Sequence, residues 1–310
     1  MQRSIPIAGL ATWLLATALG AAEPPPIAGV GPTGPIVKVR GDFQFTEGPA
    51  ADRQGNLYFT DIPANQVRKL DATGAISVFL EPSGHANGLM VDGAGRIIAC
   101  QMDGRLVAIA ARTKVLEILA DTHEGKRFNA PNDLVIDRTG GVYFTDPRFR
   151  APEPWPQGIE GVYYRDARGR VTRVAENPNA PNGVILSPDE KTLYVIPSRQ
   201  KEMLAYPVDG PGKLGQARVF CTLEQPEGRD NTGGDGLTVD TNGNLYITSA
   251  LGIQVVDPAG KLLGVIAFPE QPANVTFGGP AMKTLYVTAR TSLYSAEMEA
   301  TGHVFPGVVP

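Results

Sequence analysis

One short pattern recurs six times along the chain and restricts the fold more tightly than any other feature. An acid, serine or glycine leads into a turn, and an apolar strand centred on tyrosine follows. The copies read "DRQGNLYFTD" (52–61), "DGAGRIIACQ" (92–101), "DRTGGVYFTD" (137–146), "SPDEKTLYVI" (187–196), "DTNGNLYITS" (240–249) and "GGPAMKTLYVTA" (278–289). Their strand centres, Tyr58, Ile98, Tyr143, Tyr194, Tyr246 and Tyr286, are spaced by 40, 45, 51, 52 and 40 residues. Each interval holds four short strands joined by tight turns, which is the anatomy of a propeller blade. Six units fill residues 45–299, so the chain is expected to be an all-β, six-bladed β-propeller with four-stranded antiparallel blades, a single domain over residues 23–310. Unit six is one strand short, and "PIVKVRGDF" (35–43) alternates like a lone strand ahead of unit one. Pairing that N-terminal strand onto the last blade closes the ring and removes an open sheet edge.

Composition enters where it excludes alternatives. The 36 glycines and 27 prolines agree with a turn-rich all-β chain. A formal net charge of −4 gives no basic face, which argues against nucleic acid as a partner. At the N-terminus, Arg3, an apolar run over 5–19 and the small residues Gly20, Ala21 and Ala22 precede a Pro-rich stretch. That order predicts a signal peptide over residues 1–22 and a secreted or periplasmic protein without stable membrane insertion after cleavage. A retained anchor is the alternative, and the run is short for a membrane span. Cys100 and Cys221 both lie in strand-like apolar contexts and read as two buried free thiols. His85, His123 and His303 are scattered without metal-ligand spacing, which disfavours a histidine–cysteine zinc site.

A second regularity lies eleven or twelve residues before each strand centre. It picks out Glu47, Asn87, Asn132, Asn182, Asp235 and Asn274, two acids and four amides. The first strand of every blade lines the central channel, so equivalent positions at its start form a ring about the axis. Gly48, Gly88, Gly183 and Gly236 follow four of the six, letting backbones crowd there. The competing reading is that Asn and Asp merely suit a turn before a strand. It explains Glu47 poorly and six positions out of six worse. A ring of oxygen donors without His or Cys suits a hard cation, calcium first, with Mg2+, Mn2+ or Zn2+ as alternatives. Hairpin geometry brings Asp61 near Glu47, and Asp146 near Asn132 and Asp133, either to orient the amides or to cap strand-end turns. Arg148, Arg199 and Arg290 follow the same strand ends, and "RAPEPWPQGIE" (150–160) lengthens unit three towards the mouth.

These stretches resemble the gluconolactonase and senescence-marker-protein family of six-bladed calcium propellers, related to diisopropyl-fluorophosphatase. The motifs that carry the resemblance are "TEGPAAD", "GKRFNAPNDLVID", "APNGVILSPDEKTLYV", "GGDGLTVD" and "ANVTFGGPAMKTLYVTA", spanning about 45–297. The resemblance implies that Glu47, Asn182 and Asp235 bind the metal, with Asn132 a further ligand or a substrate contact. Asn87 and Asn274 match family positions near the axis that are not usual direct ligands, and they are expected to support the ligands or line the pocket. The family often has Arg-x-Asn-Asp, with the Arg touching substrate; here "RFNAPND" puts three extra residues between the elements, and Arg127 and Asn129 are expected to contact substrate or support the ligands. The expected activity is calcium-dependent hydrolysis of a small-molecule lactone, gluconolactone above all, with Asp235 as general base or, alternatively, as nucleophile. Organophosphorus ester hydrolysis and a non-enzymatic binding platform are the alternatives. The sequence leaves the oligomeric state open.

Overall fold

The computed structural model describes residues 26–176 and 178–305. The leader expected over residues 1–22 lies outside them. All regular secondary structure among the described residues is β, arranged as six small antiparallel sheets in sequence order around a ring, with a two-stranded hairpin of Thr122–His123 and Lys126–Arg127 outside them. The first strands of the blades are Thr46–Ala51, Ala86–Val91, Leu134–Ile136, Pro181–Leu186, Leu237–Val239 and Pro272–Gly278. Blade four departs slightly from the plan: its nine-residue third strand, Glu202–Gly210, overhangs and also pairs with Lys213–Leu214.

The repeated turn explains itself chemically. In blade one, Asp52 accepts the backbone N–H groups of Gln54 and Asn56 at 2.9 and 2.8 Å, while Gly55 takes a left-handed φ of 82°. Asp240 does the same for Asn242 and Asn244, both at 2.9 Å. A side chain that pins its own turn fixes the register of the hairpin, and register decides which face each residue shows. The strand-centre tyrosines thereby point into the packing between blades. Tyr143 and Tyr246 are 1% and 0% exposed, and the Tyr246 hydroxyl donates to Asp240 at 3.1 Å. Edge-on ring pairs such as Tyr58–Phe79 and Tyr246–Phe277 continue this packing. Each such buried ring stabilises by about 1.5–3 kcal/mol through area alone.

Ring closure follows the expected route. Val37–Arg40 pairs antiparallel with Ser292–Glu297 and becomes the outermost strand of blade six. Glu270 clamps this joint, accepting from Lys38 Nζ at 3.0 Å, from the Tyr294 hydroxyl at 2.9 Å and from the Ser292 hydroxyl. Partial burial opposes ionisation there, but the hydrogen bonds from Ser292, Lys38 and Tyr294 outweigh it and hold the Glu270 carboxyl down to about 2. On one face the chain end crosses the channel: Gly302 N–H donates to Met282 O and His303 N–H to Val239 O. His303, Val304 and Phe305 cover that end of the channel. Cys100 and Cys221 are buried, free and in different blades.

Candidate active site

At the other end the channel opens into a cavity of about 490 Å³. Glu47, Asn87, Asn132, Asn182 and Asp235 all line it. Glu47, Asn87 and Asn182 are the second residues of their strands, while Asn132 and Asp235 stand two residues ahead of theirs. Asn274, the sixth ring position, faces the smaller void on the far side, together with Asp133. Close packing of the hub accounts for the glycines. A Cβ on Gly48 would meet the Asn87 carbonyl, one on Gly88 would meet Asp133, and one on Gly236 would meet Asn274. Backbone bonds join neighbouring blades at the same level, from Gly88 N–H to Asn132 O at 2.7 Å and from Gly183 N–H to Asp235 O at 2.9 Å.

The ring carries its own wiring. Asn182 Nδ2 donates to Asp235 Oδ1 at 2.6 Å and to the Ser198 hydroxyl at 2.9 Å, and the Ser198 hydroxyl in turn donates a hydrogen bond to Gly234 O at 2.8 Å. This fixes which face Asp235 turns to the cavity. Glu47 accepts the Gly48 N–H at 2.9 Å, and Asn274 accepts that of Val275 at 2.8 Å. The hub crowds carboxyl groups into a desolvated space. Burial pushes the Glu47 carboxyl well above the usual range, and the charges of Asp235 and Asp133 add to the shift. Asp133 is pushed up to about 7, first by burial, against hydrogen bonds from Leu134 and Asn274. Desolvation raises Asp235 to about 6, while Asn182 and Arg290 restrain it. None of the three makes an ion pair with Lys or Arg among the described residues. Like charges confined in a desolvated space call for a counter-cation.

The donor chemistry fits a hard ion. Among the described residues no three His, Cys, Asp or Glu side chains converge as a metal-ligand group. A cation here therefore rests on Glu47 and Asp235 together with amide oxygens. Asn132 is 4% exposed, lines the cavity and makes no side-chain hydrogen bond with the described residues, so its oxygen is available. Such a set suits calcium-like coordination by oxygen.

The remaining expected residues lie elsewhere. Asp61 accepts from the Gln44 and Phe45 N–H groups, the latter at 3.1 Å. Asp146 accepts from the Asn129 and Ala130 N–H groups at 2.9 and 2.8 Å. Both carboxylates thus tie down the chain entering the blade, and neither lines the cavity. Asn129 is fully buried, donating to Ile159 O at 2.8 Å and accepting from Gln157 N–H at 3.1 Å. Arg127 is exposed and turns its guanidinium to the carbonyls of Phe128 and Asn129.

Sequence reasoning passed over several residues that matter. Ser198 holds the Asn182 amide, and Phe149 joins Arg150, the first residue of the insertion expected at the mouth, on the cavity wall. Phe45, Ile62 and Met102 form an apolar wall. Thr60, Thr145 and Thr248 are each 0% exposed and donate to the carbonyls of Asn87, Asn182 and Ala273 in the next blade. Their signal was present as the threonine after the tyrosine in "YFTD", "YFTD" and "YITS".

Fold and ring together define a six-bladed propeller with an oxygen-lined axial site open on one face. The chain belongs to the SMP-30/gluconolactonase/LRE-like region family, whose sequence model matches residues 45–291. It is 31% identical over 293 residues to the gluconolactonase of Zymomonas mobilis, covering 86% of this chain and 82% of that one. Among solved structures, it is similar to the gluconolactonase XC5397 from Xanthomonas campestris, with a TM-score of 0.78, 30% identity and coverage of 85% and 89%. Regucalcin from Agrobacterium tumefaciens, a calcium-binding protein, shares the fold at a TM-score of 0.75 and 22% identity, over 88% of this chain and 96% of its own.

Proposed function

We propose that this protein is a calcium-dependent lactonase of gluconolactonase type, hydrolysing a sugar lactone to the aldonic acid with Asp235 as general base. The observation that carries the reading is the Asp235 carboxylate, held by Asn182 at 2.6 Å on the wall of a cavity it shares with Glu47 and Asn132. The gluconolactonase relatives from Zymomonas and Xanthomonas support the substrate class. Glu47, Asn182 and Asp235, with Asn132, are the residues that would hold the ion. A hard divalent cation bound there supplies Lewis-acid polarisation of the lactone carbonyl. Asp235 takes a proton from the attacking water, the ring C–O bond breaks, and the leaving alkoxide oxygen regains a proton. Asn182 keeps the carboxylate in one rotamer through the Ser198–Gly234 relay. The apolar wall of Phe45, Ile62 and Met102 limits bulk water, strengthening the polar contacts inside.

Chelation of the purified protein is expected to abolish hydrolysis of glucono-1,5-lactone, and calcium to restore it. Asp235→Ala is expected to lower kcat by about 100-fold or more while circular dichroism stays unchanged. Full turnover in the chelated protein or in the folded variant overturns the reading.

A further inference from the structure

Arg127, Arg148 and Arg290 do not line the cavity, and each is already engaged. Arg127 bonds backbone carbonyls, Arg148 stacks on Trp155 at 4.2 Å and faces Glu160, and Arg290 donates to Gln271 at 2.6 Å. Arg150 is different. It is exposed, lines the cavity, and makes no hydrogen bond or ion pair with the described residues.

Its loop is not free to drift. Gln157 Nε2 donates to the carbonyls of Lys126 and Arg127 at 2.9 and 3.0 Å, and Asn129 fastens Ile159. Glu160 accepts the N–H groups of Arg148 at 3.1 Å and of Ala180 at 3.0 Å. A guanidinium carried on a pinned segment is pre-organised, and its planar fork matches a carboxylate, sulfonate or phosphate. The floor of the same cavity is acidic, with Glu47 and Asp235 on its wall and Asp133 just beneath. A substrate whose lactone carbonyl faces Asp235 on that floor turns its remote end to the mouth, where the guanidinium accepts an anion.

We propose that Arg150 is a specificity-determining residue that selects lactones bearing an anion at the end remote from the ring carbonyl. This rests on the lactonase reading above. The probe pair is D-glucaro-1,4-lactone and D-glucono-1,4-lactone, which share the ring and differ only in a terminal carboxylate or hydroxymethyl group. The calcium-loaded wild type is expected to favour the carboxylate, and that preference to weaken with rising salt. In Arg150→Ala the ratio of the two kcat/KM values should fall by about tenfold, the scale of one lost charge-assisted hydrogen bond. Arg150→Lys should recover part of it, and Arg150→Glu should lower it further. Melting temperature and calcium titration of each variant confirm that fold and hub are intact.

Calorimetric titration of the same pair into calcium-loaded Asp235→Asn protein, with and without Arg150→Ala, reads recognition without turnover. A wild type that hydrolyses neither lactone then counts against the lactonase reading, while the affinity ratio still decides the role of Arg150. A ratio unchanged by Arg150→Ala, in rate or in affinity, overturns the assignment.

Discussion

Glu47, Asp133 and Asp235 bring three carboxyls into one desolvated hub, and their protonation has a consequence for stability. In the unfolded chain an aspartate titrates near its ordinary 3.8, whereas in the metal-free fold Asp133 and Asp235 are raised to about 7 and about 6. Between those limits the folded state binds more protons than the unfolded one, so stability falls as pH rises through the window. A bound cation favours the charged forms and removes the effect. Chelated protein is therefore expected to melt higher at about pH 5 than at about pH 8, and calcium to raise the melting temperature more at the higher pH. A melting temperature flat in pH after chelation, with no calcium response, contradicts this. At this scale the sequence was readable where residues repeat: Asp235 and its five counterparts fall eleven or twelve residues before the strand centre, and all but Asn274 line the cavity. It was unreadable where contacts depend on a loop's path. Nothing periodic distinguishes Arg150 at the cavity from Arg127, whose guanidinium is spent on backbone carbonyls.

The hairpins show the same division one level up. Six turns were legible because each is fixed locally, by an Asp or Ser side chain or by a left-handed glycine. The bonds that join one blade to the next are not local, and only the recurring threonine hinted at them. Thr145 links two hub elements, donating to Asn182 O at 2.7 Å and accepting from Asp133 N–H at 3.1 Å. Thr145→Val keeps the shape and strands both backbone partners in a buried site. It is expected to cost about 1–3 kcal/mol in chemical denaturation and to weaken calcium binding, since Asn182 and Asp133 both shift. A variant as stable as the wild type shows that these carbonyl contacts contribute nothing. The acids Asp61 and Asp146 make the complementary point: their placement near the ring was readable, but their use as anchors for incoming chain depends on backbone N–H groups that no sequence pattern marks.

For the whole molecule, the joint between Val37–Arg40 and Ser292–Glu297 closes the circle, and the missing strand of unit six was enough to foresee it. The Glu270 clamp was not foreseeable, because Lys38 and Tyr294 meet it across more than two hundred residues in one case and from a neighbouring strand in the other. A chain beginning at residue 42 lacks the closing strand and leaves Ser292–Glu297 as an open edge. It is expected to unfold at lower temperature and to self-associate more than the full chain, as light scattering on a size-exclusion column reads. Equal stability and equal mass for the two forms would show that the joint is dispensable.

Because Glu47, Asn132, Asn182 and Asp235 come from four different blades, the ion pocket proposed above would form only once those blades stand together. During synthesis the strand that seals the circle leaves the ribosome first and must wait, unmatched, for a hairpin made almost at the end. Affinity for calcium at the proposed site would then report completed assembly: a nicked or ajar circle is expected to lose it before its blades lose their β spectrum.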